Sequence, residues 1–181
     1  MSIAVDGATT GLISGNTLYV AGSPPGAACT CPPGTTCEMP PTTATTCGRL
    51  EIINTASSPP AVTTSGVVIS DGYHNQMELT GNNKLFIAAV TCSAGCLTIY
   101  DATANQAGVD SITGNVTGIA PIPGRNVVYV VETVAAGSLN CVGLLPCVGK
   151  LRIYDDSASV PTLSPTQINV VGKAVDVKFV F

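Results

Sequence analysis

Three short motifs return in the same order along this chain, and their phasing limits its fold more than any other property. Leu50-Glu-Ile-Ile-Asn54 reappears as Leu97-Thr-Ile-Tyr-Asp101 and Leu151-Arg-Ile-Tyr-Asp155. Leu18-Tyr-Val-Ala21 reappears as Leu85-Phe-Ile-Ala88 and Val128-Tyr-Val-Val131. A glycine, followed after three residues by a small or polar residue and then an aliphatic one, occurs four times. Its copies are Gly7-Ala-Thr-Thr-Gly-Leu12, Gly72-Tyr-His-Asn-Gln-Met77, Gly114-Asn-Val-Thr-Gly-Ile119 and Gly172-Lys-Ala-Val-Asp-Val177. From the L-x-I motif to the next LYV-like motif is 35 residues (Leu50 to Leu85) and then 31 (Leu97 to Val128). The return distance varies: 32 residues from Leu18, 12 from Leu85 and 23 from Val128. One connection is therefore fixed and the other is free to change length, and the variable one holds every cysteine.

Each unit reads as four short strands. The first follows the glycine motif, and a tight turn (Gly81-Asn-Asn83, Pro123-Gly-Arg-Asn126) leads to the second, the LYV run. The cysteine-bearing hairpin leads to the third, the L-x-I run, and a short polar turn leads to the fourth. The second and third strands are apolar on both faces, the pattern of a sheet buried between two others. A lone four-stranded antiparallel sheet cannot bury both faces, whereas radial stacking of such sheets can. A β-sandwich also has short strands and frequent turns, but it gives no reason for four phased glycine motifs. No stretch shows helical periodicity.

The stretches Asn82-Asn-Lys-Leu-Phe-Ile-Ala-Ala-Val-Thr-Cys92 with Cys96-Leu-Thr-Ile-Tyr-Asp-Ala-Thr-Ala-Asn105, and Gly124-Arg-Asn-Val-Val-Tyr-Val-Val-Glu132 with Gly149-Lys-Leu-Arg-Ile-Tyr-Asp-Asp-Ser-Ala158, resemble YVTN-type and LVIVD-type β-propeller repeats. The resemblance covers essentially the whole chain and departs from the family pattern in the cysteine-bearing loops. It implies an all-β, incomplete β-propeller of four-stranded antiparallel blades: one partial domain, residues 1–181, with repeats at 7–71, 72–113 and 114–171 and a fourth starting at 172–181. It also implies that loops between units share a face with the cysteine hairpins. That would gather Tyr73, His74 and Asn75, then Asn115 and Thr117, then Lys173, on one rim as candidate ligand-binding residues. The family pattern implies no activity.

The eight cysteines fall into local groups: Cys29, Cys31, Cys37 and Cys47; Cys92 and Cys96; Cys141 and Cys147. An even number, paired within loops, reads as disulfides made in an oxidising compartment. Proximity predicts Cys92–Cys96 and Cys141–Cys147. The first group allows three connectivities, and a hairpin favours Cys29–Cys47 with Cys31–Cys37 nested inside. A four-thiolate zinc site is the alternative for that group, but zinc prefers short knuckles of two to four intervening residues. The spacing here does not match, so no metal and no cofactor is expected.

Charged residues make up 10% of the chain, against roughly 25% in an average domain. With a net charge of −4 and no basic run, a nucleic-acid or anionic-membrane surface is not expected. The apolar runs, such as 85–90 and 127–131, are far shorter than the roughly 20 residues that span a bilayer. The opening Met1-Ser-Ile-Ala-Val-Asp6 lacks the features of a secretory signal. Beside eight cysteines, that absence points to a stretch taken from a longer polypeptide.

No nucleophile–base pair, paired carboxylates or phosphate loop stands out. His74 is the single histidine, and a loop histidine hydrogen-bonded to backbone is the plain reading of it. Asp155-Asp156 could contribute to a Ca²⁺ site, yet the turn offers too few ordered oxygens, and a solvated turn is the simpler reading. Asn115-Val-Thr117 matches a glycosylation sequon, relevant only in a eukaryotic secretory host. The expected function is an extracellular or cell-surface binding or assembly module, not itself catalytic. Its partners would be further blades of a longer polypeptide or other copies of the chain. The alternative is part of a secreted lactonase-like propeller enzyme whose site missing blades complete. A third reading has the chain polymerise through its open edges.

Overall fold

The computed structural model describes residue 5 and residues 7–26, 46–93, 95–110, 113–134 and 147–180. Among these residues the chain forms twelve strands and no helix, in three four-stranded antiparallel sheets. The first sheet contains β1 (Ala8–Ser14), β2 (Thr17–Gly22), β3 (Gly48–Asn54) and β4 (Ala61–Ile69). The second contains β5 (Tyr73–Leu79), β6 (Lys84–Val90), β7 (Leu97–Asp101) and β8 (Gln106–Asp110). The third contains β9 (Asn115–Pro121), β10 (Val127–Thr133), β11 (Cys147–Asp155) and β12 (Thr162–Val171). Each sheet is a meander, its strands neighbours in chain order. The first turn of each holds one residue in the left-handed region: Gly15 (φ 55°), Asn83 (φ 56°) and Gly124 (φ 72°). Glycine and asparagine are the residues that reach this region at least cost.

The sheets pack in order, first on second and second on third. Strand alternation decides which side chains meet. Leu85 and Ile87 of β6 join Tyr19, Leu50, Ile52 and Ile69 of the first sheet in one apolar cluster. Phe86 and Ala88 point the other way, into a second cluster with Val116, Ile119, Val128 and Tyr154 of the third sheet. Here Phe86 meets Tyr154 edge to face, with ring centroids 5.8 Å apart, a geometry that aromatic quadrupoles favour. The second sheet is thus covered on both faces, as the doubly apolar β6 requires.

The registers show that both interfaces use the same positions. Cross-strand row Leu79–Leu85–Tyr100–Ala107 of the second sheet faces the first. Row Pro121–Val128–Tyr154–Leu163 of the third faces the second. By the motif alignment, the matching row of the first sheet is Ile13–Leu18–Ile53–Val62. It lies on the face turned away from the second sheet, where Ile13 is 64% and Val62 43% exposed. We call the face that carries this row leading, and the opposite one trailing. On the first sheet this row is exposed at its two edge strands, half-buried at Leu18 and buried at Ile53 (2% exposed), and among the described residues no sheet packs on it; the leading faces of the other two are covered.

Polar bridges fix the stacking along the first strands. The Gln76 amide of β5 donates to the Ile119 carbonyl and accepts from the Ile119 N–H of β9, both at 3.1 Å. Asn75 Nδ2 donates to the Val116 carbonyl at 3.4 Å. At the opposite end of the strands, Asn82 Nδ2 donates to Asn126 Oδ1 (3.1 Å) and to Asp156 O (3.1 Å) and Oδ1 (3.2 Å). Such bonds supply partners to groups that are costly to bury unpaired.

Candidate functional site

The residues expected on one rim lie along three neighbouring stretches: the start of β5, the start of β9 and the segment after Gly172. Tyr73 and Asn75 are exposed on alternate positions of β5, and Lys173 is exposed in the last segment. Asn115 is half-buried; its Oδ1 accepts the Thr91 N–H at 2.7 Å and holds Thr91 in a left-handed conformation (φ 61°). Thr117 is committed inward, its hydroxyl donating to the Ala174 carbonyl at 2.7 Å. The sequon residues Asn115 and Thr117 therefore both serve the packing of the rim.

His74 differs from its neighbours in being fully buried. Alternation along β5 turns it inward between exposed Tyr73 and Asn75. Its Nε2 lies 2.9 Å from the Ser70 carbonyl. A carbonyl only accepts, so Nε2 carries the proton, and Nδ1 is left buried without a partner. A second proton on the ring would place a donor there with no acceptor. Burial accordingly holds the His74 pKa below its usual value, against the Ser70 carbonyl and the Asp71 charge, which act to raise it. The seat for the ring is Gly48: a Cβ there would come within 2.5 Å of His74 Cε1 and 2.4 Å of the Ser70 oxygen. The plain reading, a histidine tied to backbone, describes what the ring does, although it stands on a strand and not in a loop.

Cysteine chemistry borders this rim. Cys92 and Cys96 form a disulfide, with Cα atoms 5.5 Å apart. Cys92 Sγ would lie 3.0 Å from a Cβ at Gly72, which opens the His74 motif. The adjacent Asp71 carboxylate accepts from the Ser93 N–H (3.0 Å) and hydroxyl (2.7 Å), tying the stapled loop to the start of β5. Cys47, next to the histidine seat, is buried and disulfide-bonded as well. The pairings expected among Cys29, Cys31, Cys37 and Cys47, and the pairing Cys141–Cys147, lie outside the described residues.

Two polar groupings escaped the reading of the sequence. Glu132 of β10 is fully buried and accepts from Arg152 Nε of β11 at 2.7 Å and from the Gly114 N–H at 2.5 Å. The second grouping lines a cleft of about 480 Å³ between the second and third sheets, walled by Ile99, Val109 and Leu163. There the Lys84 ammonium pairs with Asp101, and the Tyr154 hydroxyl donates to Asp110. Burial acts to raise the Asp101 pKa. Lys84 and the N–H groups of Thr103 and Ala104 outweigh it and hold the carboxyl below its usual range. Burial, with Asp110 adding, pushes the Tyr154 phenol upward. The signal was available: Lys84 opens β6 and Asp101 closes β7, and antiparallel pairing sets them opposite.

Asp155 and Asp156 do not act as a pair. Exposed Asp155 accepts the Ser157 N–H at 2.9 Å, and buried Asp156 holds Asn82. Among the described residues no three His, Cys, Asp or Glu side chains converge as metal ligands. The polar groups of this region tie turns, sheets and a stapled loop together, and Tyr73, Asn75 and Lys173 are exposed beside them. The chain finds no match among protein-family models and no significant match among curated proteins or solved structures.

Proposed function

We propose that this chain is a stretch of an extracellular, disulfide-stapled β-propeller that works as a binding or assembly module and not as a catalyst. Its three sheets are read as consecutive blades. The observation that carries this reading is the repeated interface: the same cross-strand row meets the preceding sheet at each junction, and in the first sheet that row meets no other sheet among the described residues and exposes Ile13 and Val62. A repeat whose units bury one another in series leaves an apolar face at its start, and such a face calls for cover. Further blades of a longer polypeptide, or other copies of this chain, would supply it. The Cys92–Cys96 bond beside the rim fits an oxidising compartment. Exposed Tyr73, Asn75 and Lys173, with their stapled neighbours, form the face offered to a ligand.

Hydroxyl-radical footprinting of the native polypeptide, recovered from its source, tests this reading. Ile13 and Val62 should be protected there and oxidised in the isolated 181-residue chain, and thiol titration without reductant should find almost no free cysteine. Equal oxidation of Ile13 and Val62 in both samples, or several reactive thiols in the native material, would count against it.

A further inference from the structure

Residues 172–177 do for the third sheet what a following sheet would do. The Ala174 carbonyl accepts the hydroxyls of Thr117 (2.7 Å) and Thr133 (3.2 Å). A Cβ on Gly118 would stand 2.8 Å from the Val177 nitrogen and 3.0 Å from the Asp176 Cα, so the segment lies directly on β9. Ala174 packs on Gly149, whose added Cβ would meet the Ala174 Cβ at 3.1 Å. This repeats the seating of His74 on Gly48, because Gly149 precedes Leu151 as Gly48 precedes Leu50. In the motif alignment Ala174 matches His74, Val116 and Thr9. The place filled by 172–177 is therefore the place that Gly7–Leu12 of another first sheet would take.

We infer that the leading face of the first sheet, exposed at Ile13 and Val62, is a docking surface for the trailing face of a second copy of this chain, and that the seated 172–177 segment blocks it. The inference rests on reading the sheets as units of one stack. The two faces are matched by the interfaces already formed. Tyr19 and Phe86 point from β2 and β6 toward the next sheet, where Tyr100 and Tyr154 await them. Tyr129 is the matching residue at the end of the stack, and Ile53 the matching residue at its start. Ile53 is already buried, so Tyr129 of one copy would meet the next copy beside it, where Ile13 and Val62 of the same row are exposed, and continue the series as a heterologous, head-to-tail association. It cannot form while the segment sits on Gly118 and Gly149, since β1 of the incoming copy needs the same ground.

The test uses the full chain at low micromolar concentration. Wild type should sediment as a monomer. Ala174→Arg, which forces the segment off Gly149, should at least roughly double the sedimenting mass. Adding Ile13→Lys and Val62→Lys on the exposed leading row should return it to the monomer. The gentler pair Thr117→Val and Thr133→Val, which removes only the hydroxyls holding the Ala174 carbonyl, should shift the mass the same way if Ala174→Arg fails to fold. A folded monomer from whichever released variant folds, or oligomers that survive both leading-face lysines, would overturn the inference. So would a wild type already associated through that face. Each of these results leaves the stacked-unit reading standing, because a longer polypeptide could still cover the face.

Discussion

β6 and β2 carry the same motif in the same register within their sheets, yet they live in different surroundings. Lys84 through Ala89 are buried without interruption, because the second sheet has a neighbour on each side. In β2, Tyr19 and Ala21 are buried against the second sheet, while Leu18 and Val20 are only half-buried on the face that meets no other sheet among the described residues. A doubly apolar strand thus reports how many neighbours a sheet is built to have, and not how many it has. Among the described residues, the first sheet carries the apolar pattern of a sheet covered on both faces but packs against one neighbour.

Substitutions at matched positions can break that comparison. Phe86→Ala removes an aromatic side chain enclosed between two sheets and should cost about 3–5 kcal/mol. Tyr129→Ala, its half-buried counterpart on the third sheet, should cost less than half as much in the isolated chain. Urea unfolding of both variants measures the difference, and equal costs would mean that Tyr129 is as enclosed in solution as Phe86.

Gln76→Ala should cost about 1–3 kcal/mol, because it strands the Ile119 N–H and carbonyl at the junction of the second and third sheets. Asn75→Ala, which removes one longer bond from an exposed position, should cost roughly 1 kcal/mol or less. Thermal melts that rank these two in the reverse order would show that the amide bridge does not hold the junction.

The smallest effect concerns pH. The folded pKa of His74 lies below its value of 6.5 in the unfolded chain, so below that pH the unfolded chain takes up a proton that the folded one resists. Stability should fall as pH drops from 6.5 toward the folded pKa, and the His74 contribution should be flat above 7. His74→Val should remove this slope while leaving the separate loss at lower pH, where Asp101 gains its proton and the pair with Lys84 is lost. Melting temperatures measured between pH 5 and 7.5 give the comparison. An unchanged slope in the variant would assign the titration to another group.

The sheets were legible from the residues because motif phase and strand alternation are local signals. Leu85-Phe-Ile-Ala88 announces two buried faces by itself, and the glycine motifs mark where each first strand starts. The pairing of Cys92 with Cys96 was legible for the same reason. The fate of His74 was not, since its seat is Gly48 on the preceding sheet and nothing near residue 74 records that glycine. Gln76 likewise looks like any polar strand residue until β9 is laid beside it. Glu132 and Arg152 sit on paired strands with no fixed separation in sequence, because the cysteine-bearing connection between them varies in length.

The most direct test of the account compares Leu18→Ala with Leu85→Ala, two changes at one position of the repeat. Their unfolding free energies, measured by urea titration of the isolated chain, should differ sharply. Leu85 is fully enclosed, so its truncation should cost about 2–5 kcal/mol, and that of Leu18 should cost less than half as much. Costs equal within error would mean that Leu18 is as enclosed as Leu85, contradicting the claim that the first sheet meets a neighbouring sheet on one face only.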